Sequence, residues 1–196
     1  MYSFATPTER KRMEQTVPEA RFDEFEAVRV FPRPVVKHAV LIPIPRTEDG
    51  MDIPTFIRPS WGGRQVFYGD YYGFVKDGKV DYGSAKEQWE AMHAEIEPGY
   101  WVKTGIPTAY QAVAPCRIVT LIPSDDGGIR EANYVLAPGD WVLRQPGGEI
   151  QHVKQANYPA IYFTQDEAVE LGLTTMTNGS FADWALAHCR GSVPSL

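Results

Sequence analysis

The chain has 196 residues, 43% of them hydrophobic and 22% charged, with a formal net charge of −6. That balance excludes a largely disordered protein and leaves enough apolar mass for a sizeable core. It also disfavours nucleic acid as a partner, which would require a segregated basic face. The densest basic run, Arg10-Lys11-Arg12, is followed by Glu14, Glu19, Asp23, Glu24 and Glu26.

The opening MYSFATPTERKRMEQ has no apolar core of signal-peptide length, and nowhere do eighteen apolar residues run together, so a cytoplasmic protein without membrane contact is expected. Residues 1–27 read as a helical lead-in, with Thr6, Pro7 and Glu9 as its start. From Val28 the run VRVFPRPVVKHAVLIPIP suits an edge strand punctuated by prolines. RTEDGMDIPTFIRPSWGGRQ, rich in Gly, Pro and Asp, reads as a long connecting loop.

VFYGDYYGFV, KDG and KVDYG form a strand, turn and strand, because Asp-Gly tolerates the positive φ of a tight hairpin. SAKEQWEAMHAEI predicts a helix over 84–96, with Ser84 as N-cap and Glu87 completing a capping box; Trp89, Met92, His93 and Ile96 form its inward face. Further strands are expected at TAYQAVA, CRIVTLI, ANYVLA, DWVLR, EIQHV and AIYFT. Turns at Ser124-Asp125-Asp126-Gly127-Gly128, Pro138-Gly139 and Pro146-Gly147-Gly148 separate them. Helices near Gln165–Leu171 and Ser180–Cys189, the second stopped by Gly191, close the chain.

One echo organises these elements. GDYYGFVKDGKV, starting at Gly69, aligns with GDWVLRQPGGEI, starting at Gly139, matching Asp70 to Asp140, Tyr71 to Trp141 and Gly78 to Gly148. Upstream, His38-Ala39-Val40 matches Gln111-Ala112-Val113, and Leu41-Ile42-Pro43 matches Leu121-Ile122-Pro123. Anchors in one order with drifting offsets fit two copies of a β-unit whose loops vary in length; the alternative is a common turn-plus-strand idiom, since Pro98-Gly99-Tyr100-Trp101-Val102 also matches Pro138-Gly139-Asp140-Trp141-Val142 at an offset of 40.

TAYQAVA followed by APGDWVLRQPGGEIQHV and Ala160-Ile161-Tyr162-Phe163 resembles the small bacterial and bacteriophage domains known as PGDYG proteins. Pro34-Val35-Val36-Lys37-His38-Ala39-Val40 with Tyr68-Gly69-Asp70-Tyr71-Tyr72-Gly73 resembles a second, divergent version. The first copy has Tyr68 in place of the motif's proline, and the second has Trp141-Val142 in place of Tyr-Gly. The resemblance implies a small β-rich unit and carries no activity over to any residue.

The sequence offers few catalytic constellations. Pro138 to His152 is similar to the second motif of cupin barrels, but its spacing is one residue long on each side of Pro-x-Gly, which in a strand turns a side chain to the other face. The His-x-His partner motif is missing, so no metal and no cofactor are called for. Cys116 and Cys189 lack metal-type spacing, Cys116 reads as buried, and His188 beside Cys189 does not face it on a helix. The dipeptides Gly62-Gly63 and Gly127-Gly128 lack the context of phosphate loops.

The sequence therefore predicts an α+β, β-rich protein of two related small antiparallel β-units, barrel- or sandwich-like, with a central helix and helical N- and C-terminal segments. The expected divisions are 1–27, 28–97, 98–164 and 165–196, with a single compact domain as the alternative. The expected function is a non-enzymatic binding or accessory module of bacterial or phage type, whose partner is a small molecule or another protein and whose proline- and aromatic-rich edge strands suit a homo-oligomer. Tyr71, Tyr72, Trp101, Trp141 and Arg144 are the ligand-binding candidates. The rival is an enzyme, either cupin-like or cofactor-free with its site between the units, for which Asp70, Asp140 and His152 are the catalytic candidates. Asp70 and Asp140 have a competing role, accepting hydrogen bonds from their own turns.

Overall fold

The computed structural model describes residues 17–60, 64–122 and 129–189. The run at 10–12, the Gly62-Gly63 pair, the turn at 124–128, Gly191 and most of the lead-in lie outside the described residues. In chain order the strands are β1 (Glu19–Arg21), β2 (Val28–Arg29), β3 (Val36–Ile42), β4 (Thr55–Ile57), β5 (Gln65–Phe67), β6 (Tyr71–Lys76) and β7 (Lys79–Ala85). Helix α1 (Lys86–Met92) follows, then β8 (His93–Glu97), β9 (Tyr100–Lys103), β10 (Thr108–Gln111), β11 (Cys116–Ile122), β12 (Ile129–Leu136), β13 (Trp141–Arg144) and β14 (Ile150–Val153). Helices α2 (Tyr158–Ile161), α3 (Gln165–Glu170) and α4 (Asn178–Cys189) end the described chain.

Among the described residues the strands form four sheets, ordered β1-β11-β12, β14-β13-β10-β2, β7-β6-β3-β9-β8 and β4-β5, and none closes into a barrel. All pairings are antiparallel except that of β1 with β11. The two larger sheets exchange a strand. β2, which precedes β3 in the chain, pairs with β10, while β9, which precedes β10, pairs with β3. Neither sheet is complete within one stretch of sequence.

The hairpin at Asp77-Gly78 forms on the two residues with positive φ, 50° and 73°. Several expectations change. β3 is not an edge strand: its ladder is flanked by β6 and β9, and its prolines stand outside it at 34 and 43. Part of the long loop is a hairpin, β4 with β5. The lead-in's described end is a strand and a single 3-10 turn, because Glu19–Arg21 pair with β11.

The central helix is half as long as predicted. Ser84 and Ala85 are held in the β6–β7 ladder, so the helix starts after Ala85 with no side-chain cap. It ends at Met92 because His93–Glu97 pair with β9 across the Pro98-Gly99 turn, where Gly99 has φ +81°. Strand pairing here overrides local helix propensity. AIYFT is not a strand: Tyr158–Ile161 is a helical turn with Pro159 at its start, and it buries Tyr158 and Tyr162, four residues apart and stacked at 5.4 Å. Thr177, rather than Ser180, begins the last helix; the Ser180 N–H donates to the Thr177 hydroxyl and the Thr177 N–H donates to that of Ser180. No helix among the described residues is long and apolar enough to cross a membrane.

The two large sheets approach closely at Gly105. A Cβ on Gly105 would lie 2.9 Å from Pro146 and 3.0 Å from the Met92 backbone, so only glycine lets the β13–β14 turn approach the junction of α1 and β8 this closely. The turn itself is fixed by the Gln145 N–H donating to the Glu149 carbonyl and by Gly148 at φ +89°. Between that turn and the face of β7, β3, β9 and β8 lies a cavity.

Candidate functional site

The cavity is about 390 Å³ and is bounded by Lys37 of β3, Tyr82, Gly83 and Ser84 of β7, Trp89 and Met92 of α1, His93 of β8 and Lys103 of β9. Gln145, Glu149 and Gln151 of the opposing turn and strand, with Gln65 of β5, complete the wall. It adjoins a more open space of about 590 Å³ with which it shares Gln65, Gly83, Ser84 and Glu149.

Sheet register explains why two lysines meet here. Lys37 lies opposite Trp101 on β9, Lys103 is two residues further along the same strand, and His93 lies opposite Lys103 on β8. Alternation puts all four on one face. Ala39, on the same face of β3, packs in the aromatic cluster of Tyr72, Trp89 and Trp101, so this face is turned inward and its lysines are only partly exposed.

Burial, with the charge of Lys103 adding to it, lowers the Lys37 ammonium to about 8. Burial likewise lowers Lys103 to about 8, with Glu149 opposing the change. Lys103 Nζ donates to the Tyr162 hydroxyl at 3.0 Å, and Gln145 Nε2 donates to the same oxygen at 3.4 Å. Tyr162 thus ties β9 of the five-stranded sheet to the residue that follows β13 of the four-stranded one, and burial pushes its phenol up to about 12. Among the described residues neither lysine forms an ion pair.

His93 completes the arrangement. Its ring stacks on Trp89 at 3.8 Å, and Nδ1 lies 3.1 Å from the Trp89 carbonyl. A carbonyl only accepts, so Nδ1 carries the hydrogen and Nε2 presents a lone pair. Burial is the main reason the imidazole falls to about 3, the Lys37 charge adding to it and the Trp89 bond opposing it. His93 is therefore neutral at physiological pH.

Five buried side-chain polar atoms among the described residues have no hydrogen-bond partner, and four belong to residues lining this cavity: Ser84 Oγ, Trp89 Nε1, His93 Nε2 and Gln145 Oε1. Each such atom costs about 1–3 kcal/mol when left unpaired. Concentrated around one polar cavity, they mark a place suited to a small polar molecule.

The residues predicted from sequence lie elsewhere. Tyr71, 6% exposed, stacks on Phe67 at 4.0 Å. Tyr72 and Trp101, 8% and 7% exposed, pack with Trp89 behind the cavity wall; the Tyr72 hydroxyl donates to Glu90 and Trp101 Nε1 to the Ala39 carbonyl. Trp141 stacks on Tyr158 at 4.3 Å. Arg144 donates to Asp23 at 2.6 Å and lies over the Phe22 ring. None of the five lines the cavity.

Asp70 accepts from the Ile44 N–H at 3.1 Å. Asp140 accepts from the N–H groups of Ala137 and Gln155, and His152 Nε2 lies 3.1 Å from it. Burial alone would raise the Asp140 carboxyl, but the Gln155 and Ala137 N–H groups and the His152 ring outweigh it and hold it below its ordinary value. Both aspartates tie a turn to the strand or segment beside it. Among the described residues no three His, Cys, Asp or Glu side chains converge as a metal site. Cys116 and Cys189 are buried free thiols whose pKa values burial raises.

The sequence did carry a signal for the missed lysines. In VVKHAVLI, Lys37 shares the strand phase of Ala39, and in YWVKTG, Lys103 shares that of Trp101. A lysine in the inward phase of an apolar strand is uncommon enough to single out.

No family model, curated protein or solved structure matches the chain.

Proposed function

We propose that this protein is a binding module for a small carboxylate-bearing molecule, held in the cavity between the two large sheets. The observation that carries the reading is the pair Lys37 and Lys103, two amines on one inward face with a neutral histidine beside them and, among the described residues, a single carboxylate, Glu149, at the wall. With Lys37 and Lys103 charged, the lining has a net positive charge, which an anion satisfies. Trp89 Nε1 adds an unused donor, while His93 Nε2 and Gln145 Oε1 are unused acceptors. A carboxylate that also carries a hydroxyl or carbonyl group would meet both kinds.

The test is calorimetric titration of the full chain with small mono- and dicarboxylates against their neutral amides. Binding of a carboxylate but not its amide, weakened by Lys37→Gln and by Lys103→Gln, is the expected result. Equal binding of acid and amide, or no binding of either, would overturn the reading.

The same reading takes the chain as two related β-units wrapped around each other. Each has a leading strand, a strand that pairs with the strand entered at Gly-Asp-aromatic, an intervening hairpin and a return strand followed by a helical turn. Tyr71 and Trp141 each begin the middle strand of their three. The reciprocal pairing of β2 with β10 and β9 with β3 supports a cavity that belongs to both halves. Fragments 17–97 and 98–189, co-expressed, should co-purify as one complex; two halves that each fold as stable monomers would refute the wrapped arrangement.

A further inference from the structure

The geometry points to covalent chemistry in this cavity: the Lys37 amine condenses with the carbonyl group of a small keto acid to form an imine, while the Lys103 ammonium holds the keto acid's carboxylate. This rests on the carboxylate-binding reading above and adds a reaction to it.

Three observations separate the roles of the two lysines. Lys103 is anchored, its Nζ donating to the Tyr162 hydroxyl and lying 5.2 Å from that ring's centroid, which suits a fixed charge. Lys37 has no such tether among the described residues and faces the same cavity. Register sets Lys37 opposite Trp101, Lys103 two residues along that strand and His93 opposite Lys103, so the three line one cavity face, and the Lys103 charge lowers Lys37 while the Lys37 charge lowers His93. A lysine removed from water beside a second cation is the usual environment of an imine-forming amine, because the neutral, nucleophilic form is favoured. With its pKa near 8, the deprotonated fraction of Lys37 at about pH 7.5 is roughly two orders of magnitude larger than that of an exposed lysine.

The step balances without an oxidant or reductant. The Nζ lone pair attacks the carbonyl carbon, a C–N bond forms, and the carbonyl oxygen takes up a proton. The amine then gives up its hydrogens as the C–O bond breaks, leaving a C=N bond and one water. His93, lowered to about 3, is too weak a base to hold a proton, so the protons pass from the amine to the departing oxygen directly or through water in the cavity, and His93 stays neutral beside the amine.

The test uses the intact chain with pyruvate and sodium cyanoborohydride, which reduces imines, followed by peptide mapping. Propanal, which has a carbonyl and no carboxylate, and lactate, which has a carboxylate and no ketone, are the comparison compounds. A single adduct at Lys37, formed at least about tenfold faster than at any other lysine and at least about tenfold slower in Lys103→Gln, supports the inference. Lys37→Arg, which keeps the charge and removes the nucleophilic amine, should give no adduct at position 37; circular dichroism checks that it folds. An adduct spread over surface lysines, or propanal labelling Lys37 as fast as pyruvate, overturns it. If lactate binds and pyruvate is not trapped, the imine fails and the binding reading stands; if neither engages the cavity, both fail.

Discussion

Lowering the pH from about 7.5 to 5 should destabilise this protein through one residue, His93. Its imidazole has an ordinary value of 6.5 and falls to about 3 in the folded chain. The unfolded state therefore binds more protons throughout the window between these values, and stability falls as pH falls through it. Each full pH unit within the window is worth about 1.4 kcal/mol, so the loss by pH 5 is about 2 kcal/mol. For a domain of this size that corresponds to a fall in Tm of about 4–8 °C. Most carboxylates remain ionised at pH 5, so their protonation contributes little. The measurement is urea denaturation at the two pH values for the native chain and for His93→Gln, whose amide can still donate to the Trp89 carbonyl. A native chain equally stable at both pH values, or a variant that loses as much stability as the native chain, would refute the reasoning.

Three further outcomes follow from the same structure. Gly83→Ala would bring a Cβ within 2.6 Å of Phe67 and 3.0 Å of Ile57 and Tyr71, and should cost about 1–3 kcal/mol in chemical denaturation, whereas Gly69→Ala, with nothing within 4 Å, should be neutral. Asp140→Ala strands two backbone N–H groups and the His152 ring and should cost about 1–3 kcal/mol; Asp70→Ala, which strands one N–H, should cost about 0.5–1.5 kcal/mol by the same denaturation assay. Lys37→Met removes a partly buried charge from the cavity wall and should raise stability at pH 7 by about 1–3 kcal/mol while abolishing carboxylate binding; a loss of stability would mean that the lysine supports the fold.

The sequence made the turns and most strands legible because their causes are local. Asp77-Gly78 forms a hairpin since two adjacent residues tolerate positive φ, and Gly99 and Gly139 enter strands at φ +81° and +89°. The echo between Gly69 and Gly139 is only partly shared in physical terms. Gly139 needs its positive φ and has Gln155 pressed against the place a Cβ would occupy, whereas Gly69 has open space there. The aromatics that looked like a binding platform, Tyr71, Tyr72 and Trp101, are buried in the core, since their large apolar area contributes more inside than at the surface.

The helix at 84–96 shows where local reading runs out. SAKEQWEAMHAEI has a capping box and helical spacing, yet its ends belong to β7 and β8, because Ser84 pairs with Tyr72 and Glu95 with Trp101. Both are hairpin partners, across Asp77-Gly78 and Pro98-Gly99, so the helical pattern competes with two adjacent hairpins, and the ladders prevail because β3 joins both of them in one sheet. Long-range pairing of β3 with β9 sets the site. That Lys37 and Lys103 are lysines in inward strand phases was fixed by the sequence. Only the tertiary structure put β9 beside β3, brought the Gln145–Glu149 turn over them through the opening at Gly105, and left His93 neutral between Trp89 and two amines. Phase along a strand is a local property, whereas a shared cavity is made by strands exchanged between two sheets.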